Sequence, residues 1–401
     1  MPHAVTIKYC LQWPCGWQGS CRPGFATFSN LEMQHSPKIF FNFLQKVLAK
    51  NTAVLGTGGG GDPYIGKLMA IQAIKECGEV EMITPEEVPD DAIVVPSSMM
   101  GAPTILVEKI PNGSEPFRTF DALEKLRGTK VYATMSIEAG GLNSMIPFVL
   151  AARRRIPIVD ADSMGRAFPE LQMTTFHLHG VTCAPMVLSD EKGNTVSMDT
   201  IGNKWTEDIA RAATAVMGGS TFMASYAIDG KTLKKACVPY TASKCEQIGR
   251  AIREAKERNI SPVEAVLEVM GGFELFRGKV VDVARKTDGA FVRGTAVLEG
   301  ILDYKDQTCE ICFQNENIIA KVGEEVLATA PDLIINLDTE TGLPVTTEGL
   351  KYGARTVLIS APCSPQWRTP KGLETVGPRY FGYDVDYVPV EERVSRRKEM
   401  K

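Results

Sequence analysis

The chain has 401 residues, of which 44% are hydrophobic and 23% are charged, and its formal net charge is −4. These values are typical of a soluble two-domain protein and give no support to a nucleic acid or an anionic membrane as partner. No apolar run reaches the roughly 18 residues of a membrane-spanning helix. The ten cysteines are scattered along the chain, which favours reduced thiols in a cytoplasmic protein over a disulfide framework.

The first 36 residues differ in character from the rest. They carry three cysteines, Cys10, Cys15 and Cys21, and show little hydrophobic periodicity. The spacing of these cysteines matches no standard zinc finger, even with a nearby histidine as a further ligand. We predict a poorly ordered extension over residues 1–36, followed by a helix over Ile39–Lys50.

A glycine-rich segment comes next, and the following chain is organised around it. The apolar run Ala53–Leu55 predicts a short strand, four consecutive glycines predict a loop, and Asp62-Pro63 predicts a helix that ends near Gly78. Glycines allow a ligand to approach the backbone, and a helix start offers N–H groups to an anion. The candidate substrate-binding glycines are Gly58, Gly59, Gly60 and Gly61. Asp62 is a candidate catalytic residue that also suits a helix N-cap.

This loop does not match the common nucleotide-binding patterns. The spacing Gly61-x4-Gly66-Lys67 is similar to that of a P-loop. A P-loop requires Ser or Thr after the lysine, where this chain has Leu68, and Pro63 removes one N–H donor from the loop. A dinucleotide fingerprint can be aligned with the glycines, but no clear ribose-binding acid ends the next strand. We therefore expect no nucleotide cofactor.

Short apolar runs then alternate with helices, which predicts an α/β domain with a parallel sheet. The runs are Ile93–Pro96, Val131–Met135 and Ile156–Val159. Each is followed by a loop rich in glycine and polar residues, and in parallel sheets ligands bind at the carboxyl ends of the strands. These loops supply the candidate site residues Glu138, Asn143, Asp160, Asp162, Arg166 and Glu170.

His177-x-His179 lies in a run, Thr174–Val181, that we predict to be a strand. Alternate residues of a strand share a face, so both imidazoles could bind a divalent metal such as zinc, with Asp160 and Asp162 as further ligands. A packed or surface pair is the alternative. The pair is similar to the His-x-His of metal-dependent amidohydrolases, but the chain lacks the further histidines which that site requires.

The second half of the chain predicts a different architecture. After helices over Thr206–Gly219, over Lys244–Arg258 and from the capping box at Ser261, strand-like runs separated by turns indicate a β-rich domain, a barrel or sandwich. We predict an α/β domain over residues 37–272 and a β-rich domain over 273–390. The predicted hairpin of residues 175–200 could join either, and residues 391–401 are expected to form a frayed, charged tail.

Six segments together resemble the S-methyl thiohydantoin desulfurase family, which is associated with hydantoinase/oxoprolinase proteins. They are Gly56–Gly66, Met100–Thr104, Ile137–Ser144, Asp160–Met173, Pro331–Gly353 and Val376–Asp384. The resemblance covers about residues 38–390 and implies an α/β domain with a smaller barrel-like domain. It also implies removal of sulfur from a thiohydantoin-type ring, giving a hydantoin and a thiol or sulfide.

Such a reaction requires a base or a metal to activate water, an acid, and donors for the developing charge. We predict Asp160 or Asp162 as base or metal ligand, Glu138 as acid and Arg166 as an anchor for a substrate carboxylate. Arg166 could instead be a structural partner of Asp160 and Glu170. Cys183 and Cys363 are alternative nucleophiles.

A non-catalytic role stays open at this point. The chain could be a subunit of a hydantoinase/oxoprolinase assembly that binds a hydantoin-like ring without breaking a bond, and a homo-oligomer also stays open. A cluster of carboxylates favours the enzyme, because binding a neutral ring requires few charges.

Overall fold

The fold is described from a computed structural model that covers residues 38–39, 52–61, 63–101, 105, 109, 111, 113–288 and 291–399. The predicted extension over residues 1–36, nearly all of the helix predicted over Ile39–Lys50, and Asp62 lie outside the described residues. Among the helices in these ranges, every one is too short or too polar to cross a membrane.

Nine strands in the described part of the chain form the first sheet, and two further strands form a small ladder. The strands are β1 (Lys38–Ile39), β2 (Val80–Ile83), β3 (Ile93–Gly101), β4 (Ala133–Met135), β5 (Ile158–Val159), β6 (Ala161–Asp162), β7 (Met186–Ser189), β8 (Thr195–Met198), β9 (Ser220–Ala224), β10 (Ile228–Asp229) and β11 (Val238–Pro239). The order is β1-β2-β5-β4-β3-β9-β7-β8 with β10 also on β3, while β6 pairs with β11. The strands β2, β5, β4 and β3 run parallel, as predicted for an α/β domain.

The first sheet is accompanied by helices that alternate with its strands. They are α1 (Thr52–Leu55), α2 (Pro63–Cys77), α3 (Glu115–Arg127), α4 (Ile146–Arg154), α5 (Thr175–Leu178), α6 (Asn203–Val216), α7 (Gly230–Ala236), α8 (Thr241–Glu257) and α9 (Pro262–Met270). The predicted stop at Gly78 is confirmed: its φ is +100°, and its N–H donates to the carbonyl of Ile74 at 2.9 Å. The predicted cap is also confirmed, since the Ser261 hydroxyl accepts the N–H of Glu264 at 3.3 Å.

The second sheet is entirely antiparallel, which confirms the predicted β-rich second region. Its strands are β12 (Phe273–Asp288), β13 (Phe291–Gly300), β14 (Thr308–Gln314), β15 (Glu316–Val322), β16 (Glu325–Thr329), β17 (Leu333–Asp338), β18 (Pro344–Val345) and β19 (Arg355–Ala361). The hydrogen-bonded order begins at β16 and ends at β18, in the sequence β16-β15-β14-β13-β12-β19-β17-β18. Closure into a barrel therefore stays a prediction. Helices α10 (Pro370–Val376) and α11 (Val390–Glu399) follow the sheet.

The larger apolar core contains residues of both sheets, and a smaller core lies in the second sheet. Met135, Phe148 and Phe176 are fully or almost fully buried in the larger cluster around the first sheet. Phe276 and Ile311 are fully buried in the cluster of the second sheet. The larger core also includes Ile335 and Ile359 of the second sheet, so the predicted domain boundary stays a prediction. The candidate site lies where the two sheets meet.

Two strand predictions near the site are corrected. Ala53–Leu55 belongs to the helical turn α1, because three buried apolar residues satisfy a helical turn as well as a strand. Strand β3 continues through residues 97–101, which were predicted to be a loop. These residues pair with β9, and Ser97 and Ser98 are buried in the sheet despite their polar side chains.

Two further elements differ from the prediction. The run around His177 is the short helix α5, because the Thr174 hydroxyl accepts the N–H of His177 at 3.1 Å and caps it. The predicted frayed tail is helix α11 as far as Glu399. Acidic residues begin this helix and basic ones end it, as the helix dipole favours. Arg397 also donates to the carbonyl of Leu275 at 3.1 Å, which fixes the helix to β12.

The hairpin of β7 and β8 has the turn that the sequence predicts around Gly193. Strand β7 pairs with β9, so the hairpin extends the first sheet and not the second.

Candidate functional site

A cavity lies where loops of the first sheet meet the β14–β15 turn of the second. Its walls come from the end of β3, the loop after β4, the loop after β6, one side chain of α6 and the turn at Asn315-Glu316. About 90 Å³ is open to the centre of a water-sized sphere, whereas one water requires roughly 10–15 Å³. The cavity can therefore accept several waters or part of a small ring.

Glu138 is the acidic residue that the loop after β4 contributes to this cavity. Its carboxylate accepts the Nδ2–H of Asn143 at 2.9 Å, and Asn143 is itself fixed because its Oδ1 accepts the N–H of Met99 at 2.8 Å. Burial raises the pKa of Glu138 to about 7, while hydrogen bonds from Asn143 and the N–H of Phe168 oppose the rise. A carboxyl group with this pKa can exchange protons near neutral pH.

Glu316, the first residue of β15, is a cavity residue that the sequence analysis missed. Its side chain lies against Gly59, where an added Cβ would come within 2.0 Å of the Glu316 Oε1 atom. Burial, followed by the charge of Glu138, raises its pKa well above the ordinary value, and Arg166 opposes this rise. Within the described residues, Oε2 of Glu316 has no hydrogen-bond partner. Glu316 thus offers an unengaged oxygen in the same cavity as Glu138.

Two of the four glycines, Gly58 and Gly59, bring the two regions together. The carbonyl of Gly58 accepts both the N–H and the hydroxyl of Thr347, at 2.7 and 3.0 Å. Gly60 lines the cavity, and its carbonyl accepts the N–H of Leu142 at 2.8 Å. A side chain at Gly59 would displace Glu316. Of the four predicted substrate-binding glycines, Gly60 alone is on the cavity wall.

Asp160 is placed away from the cavity wall, contrary to the predicted role as base or metal ligand. Its Oδ1 accepts the N–H groups of Ala242 and Ser243 at 3.0 and 3.1 Å, and its Oδ2 accepts the Ser243 hydroxyl. Asp160 therefore caps the first turn of α8 from another part of the chain. Burial raises its pKa, and these hydrogen bonds oppose the rise.

Asp162 is likewise occupied by backbone groups. Its Oδ2 accepts the N–H of Ala139 at 2.6 Å, and its Oδ1 accepts those of Met164 and Gly165 at 3.2 and 2.8 Å. Burial raises the pKa of Asp162 to about 7 against these three donors. Because both oxygens are engaged, Asp162 holds the loops after β4 and β6 together and does not present a free oxygen to substrate.

Arg166 does not fit the predicted role of substrate anchor, and it is not paired with Asp160 or Glu170 either. Its guanidinium is fully buried and donates to the carbonyls of Asn317 and Asp332 at 3.0 and 2.7 Å. It stacks 4.6 Å from the centre of the Phe168 ring. Arg166 therefore links the loop after β6 to the second sheet, and its charge interacts with both Glu316 and Glu138 of the cavity.

Glu170 does line the cavity, but within a closed polar network. Its carboxylate accepts the hydroxyl of Tyr380 at 2.9 Å and lies 3.2 Å from the Lys204 ammonium. Gln172 donates to the same oxygen. Glu170 is thus more strongly held by other side chains than Glu138 or Glu316.

The two predicted nucleophilic cysteines are poorly placed for that role. Cys183 is fully buried, and burial strongly raises the pKa of its thiol. Burial and the charge of Asp332 raise the pKa of the Cys363 thiol to about 12. A nucleophilic cysteine requires the opposite shift, because the thiolate is the reactive form.

The predicted metal ligands His177, Asp160 and Asp162 are not assembled as a group. His177 is hydrogen-bonded at Nδ1 to the amide of Asn203 at 3.1 Å, and the nearby His179 bonds the amide of Gln366 at 3.0 Å. Residues i and i+2 of a helix do not share a face, so the strand argument for this pair fails. In the part of the chain that the structure describes, no group of three or more His, Cys, Asp or Glu side chains is arranged to hold a metal.

The structure therefore gathers Glu138, Asn143, Glu170 and Gly60 from the predicted set around one cavity and adds Glu316 and Arg211. The sequence around Glu316 indicates a turn followed by an apolar strand, but it does not indicate that this residue faces a loop of the first sheet. No local signal distinguishes Arg211 either, because its cavity position depends on which side of α6 faces the loop after β6.

Fold and cavity together define a two-domain α/β protein whose candidate site pairs two carboxyl groups from different domains. Residues 45–200 match the S-Me-THD-like N-terminal domain, and residues 201–390 match the S-Me-THD-like C-terminal domain. The chain belongs to this family, which confirms the resemblance to S-methyl thiohydantoin desulfurase.

A solved structure of another protein supports the fold. A protein from Chromobacterium violaceum, known from an X-ray crystal structure, is similar with a TM-score of 0.75 and 23% sequence identity, over 88% of this chain and 100% of that chain. None of the curated proteins matches the chain. At this identity the likeness concerns the fold alone.

Proposed function

We propose that the chain hydrolyses an S-methyl thiohydantoin-type ring to a hydantoin and a thiol, with Glu138 and Glu316 as its acid–base pair. The observation that carries this proposal is that both carboxyl groups line the same cavity and that each has a raised pKa. Family membership supports the substrate class. Two interacting carboxyl groups in a buried site tend to share one proton near neutral pH, which supplies a base and an acid together.

The hydrogen bonds indicate which group takes which role. Donors from Asn143 and Phe168 stabilise ionised Glu138, so this residue suits the base. Glu316 has an oxygen without a partner among the described residues, and burial and the charge of Glu138 raise its pKa, so it suits the acid. This assignment reverses the role that the sequence predicted for Glu138.

In the proposed reaction, Glu138 takes a proton as the water oxygen bonds to the ring carbon between the two nitrogens. The electrons of the C=N bond move to the ring nitrogen, which receives the proton of Glu316. The C–S bond then breaks as the hydroxyl oxygen forms the C=O bond, and the electron pair of the C–S bond leaves with sulfur. The hydroxyl proton returns to Glu316, and the proton held by Glu138 completes the thiol. Water and the methylthio ring are thereby converted to the hydantoin and methanethiol.

The test is release of free thiol from an S-methyl thiohydantoin by the purified chain, with and without a chelator. Release that resists the chelator and is lost in Glu138→Gln supports the acid–base pair. Release that the chelator abolishes would favour metal-activated water, as the sequence analysis also proposed. Hydantoin binding without any thiol release would instead favour a non-catalytic subunit of a hydantoinase/oxoprolinase assembly.

A further inference from the structure

Arg211 is a cavity residue that the acid–base proposal does not use. It lies on α6, its side chain is 16% exposed, and it is the basic residue among the described residues that line the cavity. Nε donates to Glu207 at 2.7 Å, and Nη2 donates to the carbonyl of Pro169 at 3.0 Å. The guanidinium also lies 4.8 Å from the centre of the Phe291 ring.

These contacts fix the guanidinium while leaving one nitrogen uncommitted. Glu207 is almost fully buried, and its Oε2 accepts the N–H of Leu171 at 3.0 Å, so the partner of Arg211 is itself held in place. Nη1 of Arg211 has no hydrogen-bond partner among the residues that the structure describes. The nearby Lys204 differs, because it is engaged by both Glu170 and Asp208.

We propose that Nη1 of Arg211 donates to a carbonyl oxygen of the bound ring. This role rests on the proposed function, since the ring in question is the thiohydantoin or its hydantoin product. In an S-methyl thiohydantoin, the C=N bond attacked by water is conjugated with the neighbouring carbonyl group. When water adds, the electrons of that bond spread onto the carbonyl oxygen, and a fixed guanidinium donor there stabilises the charge.

The surroundings favour a neutral carbonyl over a carboxylate as the ligand of Arg211. Glu207 already neutralises the guanidinium, and ionised Glu138 adds negative charge to the same cavity. A substrate carboxylate would face this excess of negative charge, whereas a carbonyl oxygen requires one well-placed donor. A partly desolvated donor is also more effective than one in water.

The experiment compares the binding of two rings by calorimetry: hydantoin, and imidazolidin-2-one, which lacks the second carbonyl group. Arg211→Lys keeps a cation beside Glu207, and Arg211→Met removes the donor. Arg250→Met is the matched control, since Arg250 forms the same i, i+4 pair with the buried Glu246 on α8, away from the cavity. Melting curves of all variants report folding.

We expect Arg211→Met to weaken hydantoin binding at least tenfold and to leave imidazolidin-2-one binding unchanged. Turnover of S-methyl thiohydantoin should fall roughly 10²–10³-fold, the usual effect of removing one donor to a developing oxyanion. Arg211→Lys should also weaken the binding of hydantoin and not of imidazolidin-2-one, by a smaller factor. If Arg211→Met does not fold, the Lys variant tests the proposal. Equal losses for both rings, or no loss for hydantoin, would overturn the proposal.

The experiment distinguishes a failure of the Arg211 carbonyl contact from a failure of the desulfurase proposal. If the wild-type chain releases no thiol but Arg211 still determines the preference for hydantoin, the desulfurase proposal fails and the carbonyl contact stands. If thiol is released and Arg211→Lys and Arg211→Met match the wild type in hydantoin binding and rate, the carbonyl contact fails and the acid–base proposal stands.

Discussion

Glu138 and Glu316 line one cavity from two different sheets, and the charge of Glu138 raises the pKa of Glu316. Glu138 follows β4 of the first sheet and Glu316 begins β15 of the second, so the pair exists only when the two regions pack together. Both pKa values are raised, with burial as the largest cause. This relationship explains why a site built from one domain alone would lack its acid–base pair.

Replacing Glu316 tests the pair most directly. We expect Glu316→Gln to lower kcat for thiol release roughly 10²–10⁴-fold, the range typical of a lost general acid or base. The KM should change little, because glutamine preserves the volume and polarity of the side chain. Stopped assays of thiol release measure both parameters.

Glu310→Gln is the matched control for this change. Glu310 lies on the neighbouring strand β14, where it pairs with Lys321 at 2.8 Å, outside the cavity. Its loss should leave kcat within a few-fold of wild type, since partly exposed ion pairs contribute little. Comparable rates for Glu316→Gln and wild type would exclude Glu316 as the acid.

The proposed roles also set the pH dependence of the rate. Because Glu138 must be ionised and its pKa is about 7, kcat/KM should fall as the pH drops below neutral. Because Glu316 must be protonated, kcat/KM should fall again at the higher pH at which this residue, whose pKa is raised above its ordinary value, loses its proton. A bell-shaped profile between pH 5 and 10 is therefore expected, and a flat profile contradicts the pair.

Asn143 should control the acidic limb of that profile. Its Nδ2–H donates to the ionised form of Glu138 at 2.9 Å, so Asn143→Ala removes a group that lowers the pKa of Glu138. We expect the acidic limb to move to higher pH and the rate at pH 7 to fall about tenfold, within the range of general acid–base effects. Asn194→Ala, in the β7–β8 turn where Asn194 bonds Asp190, should leave the profile in place.

Glu138 should also make the protein less stable at neutral pH than in mild acid. Its folded-state pKa of about 7 lies above the ordinary 4.5, so the unfolded chain releases this proton first. The contribution of Glu138 to stability is therefore full below about pH 4.5 and declines until about pH 7, by on the order of 1–3 kcal/mol. Glu138→Gln should flatten this decline in denaturant-unfolding curves, and an unchanged slope would argue against the raised pKa.

Most strands, helices and loops could be predicted from the sequence, but the contacts that their polar side chains make could not. The alternation around Ile93, Ala133 and Ile158 indicated the parallel strands, since a buried strand is recognisable from a short apolar run. The run at Ala53 is equally short and apolar, yet it forms a helical turn. Local pattern cannot separate these cases, because the choice depends on tertiary packing.

The roles of the site residues are still harder to predict from local sequence pattern. Glu138 and Asp162 are both acids that follow neighbouring parallel strands. Only the structure reveals that Asp162 accepts hydrogen bonds from three backbone donors while Glu138 lines the cavity. Glu316 could not be assigned because the second sheet contributes it across a domain boundary. The position of a side chain relative to a distant segment is what single-sequence patterns do not encode.

Asp160 provides the last test, because its predicted catalytic role and its observed capping role lead to different outcomes. Asp160→Ala removes the acceptor for the first N–H groups of α8, so we expect a loss of about 1–2 kcal/mol in unfolding free energy. The kcat of the folded fraction should stay within a few-fold of wild type. Asp229→Ala, which removes the cap of α7 at Thr232, should give a similar loss of stability and an unchanged rate. A hundredfold lower kcat for Asp160→Ala alone, at equal folded fraction, would return Asp160 to the catalytic group.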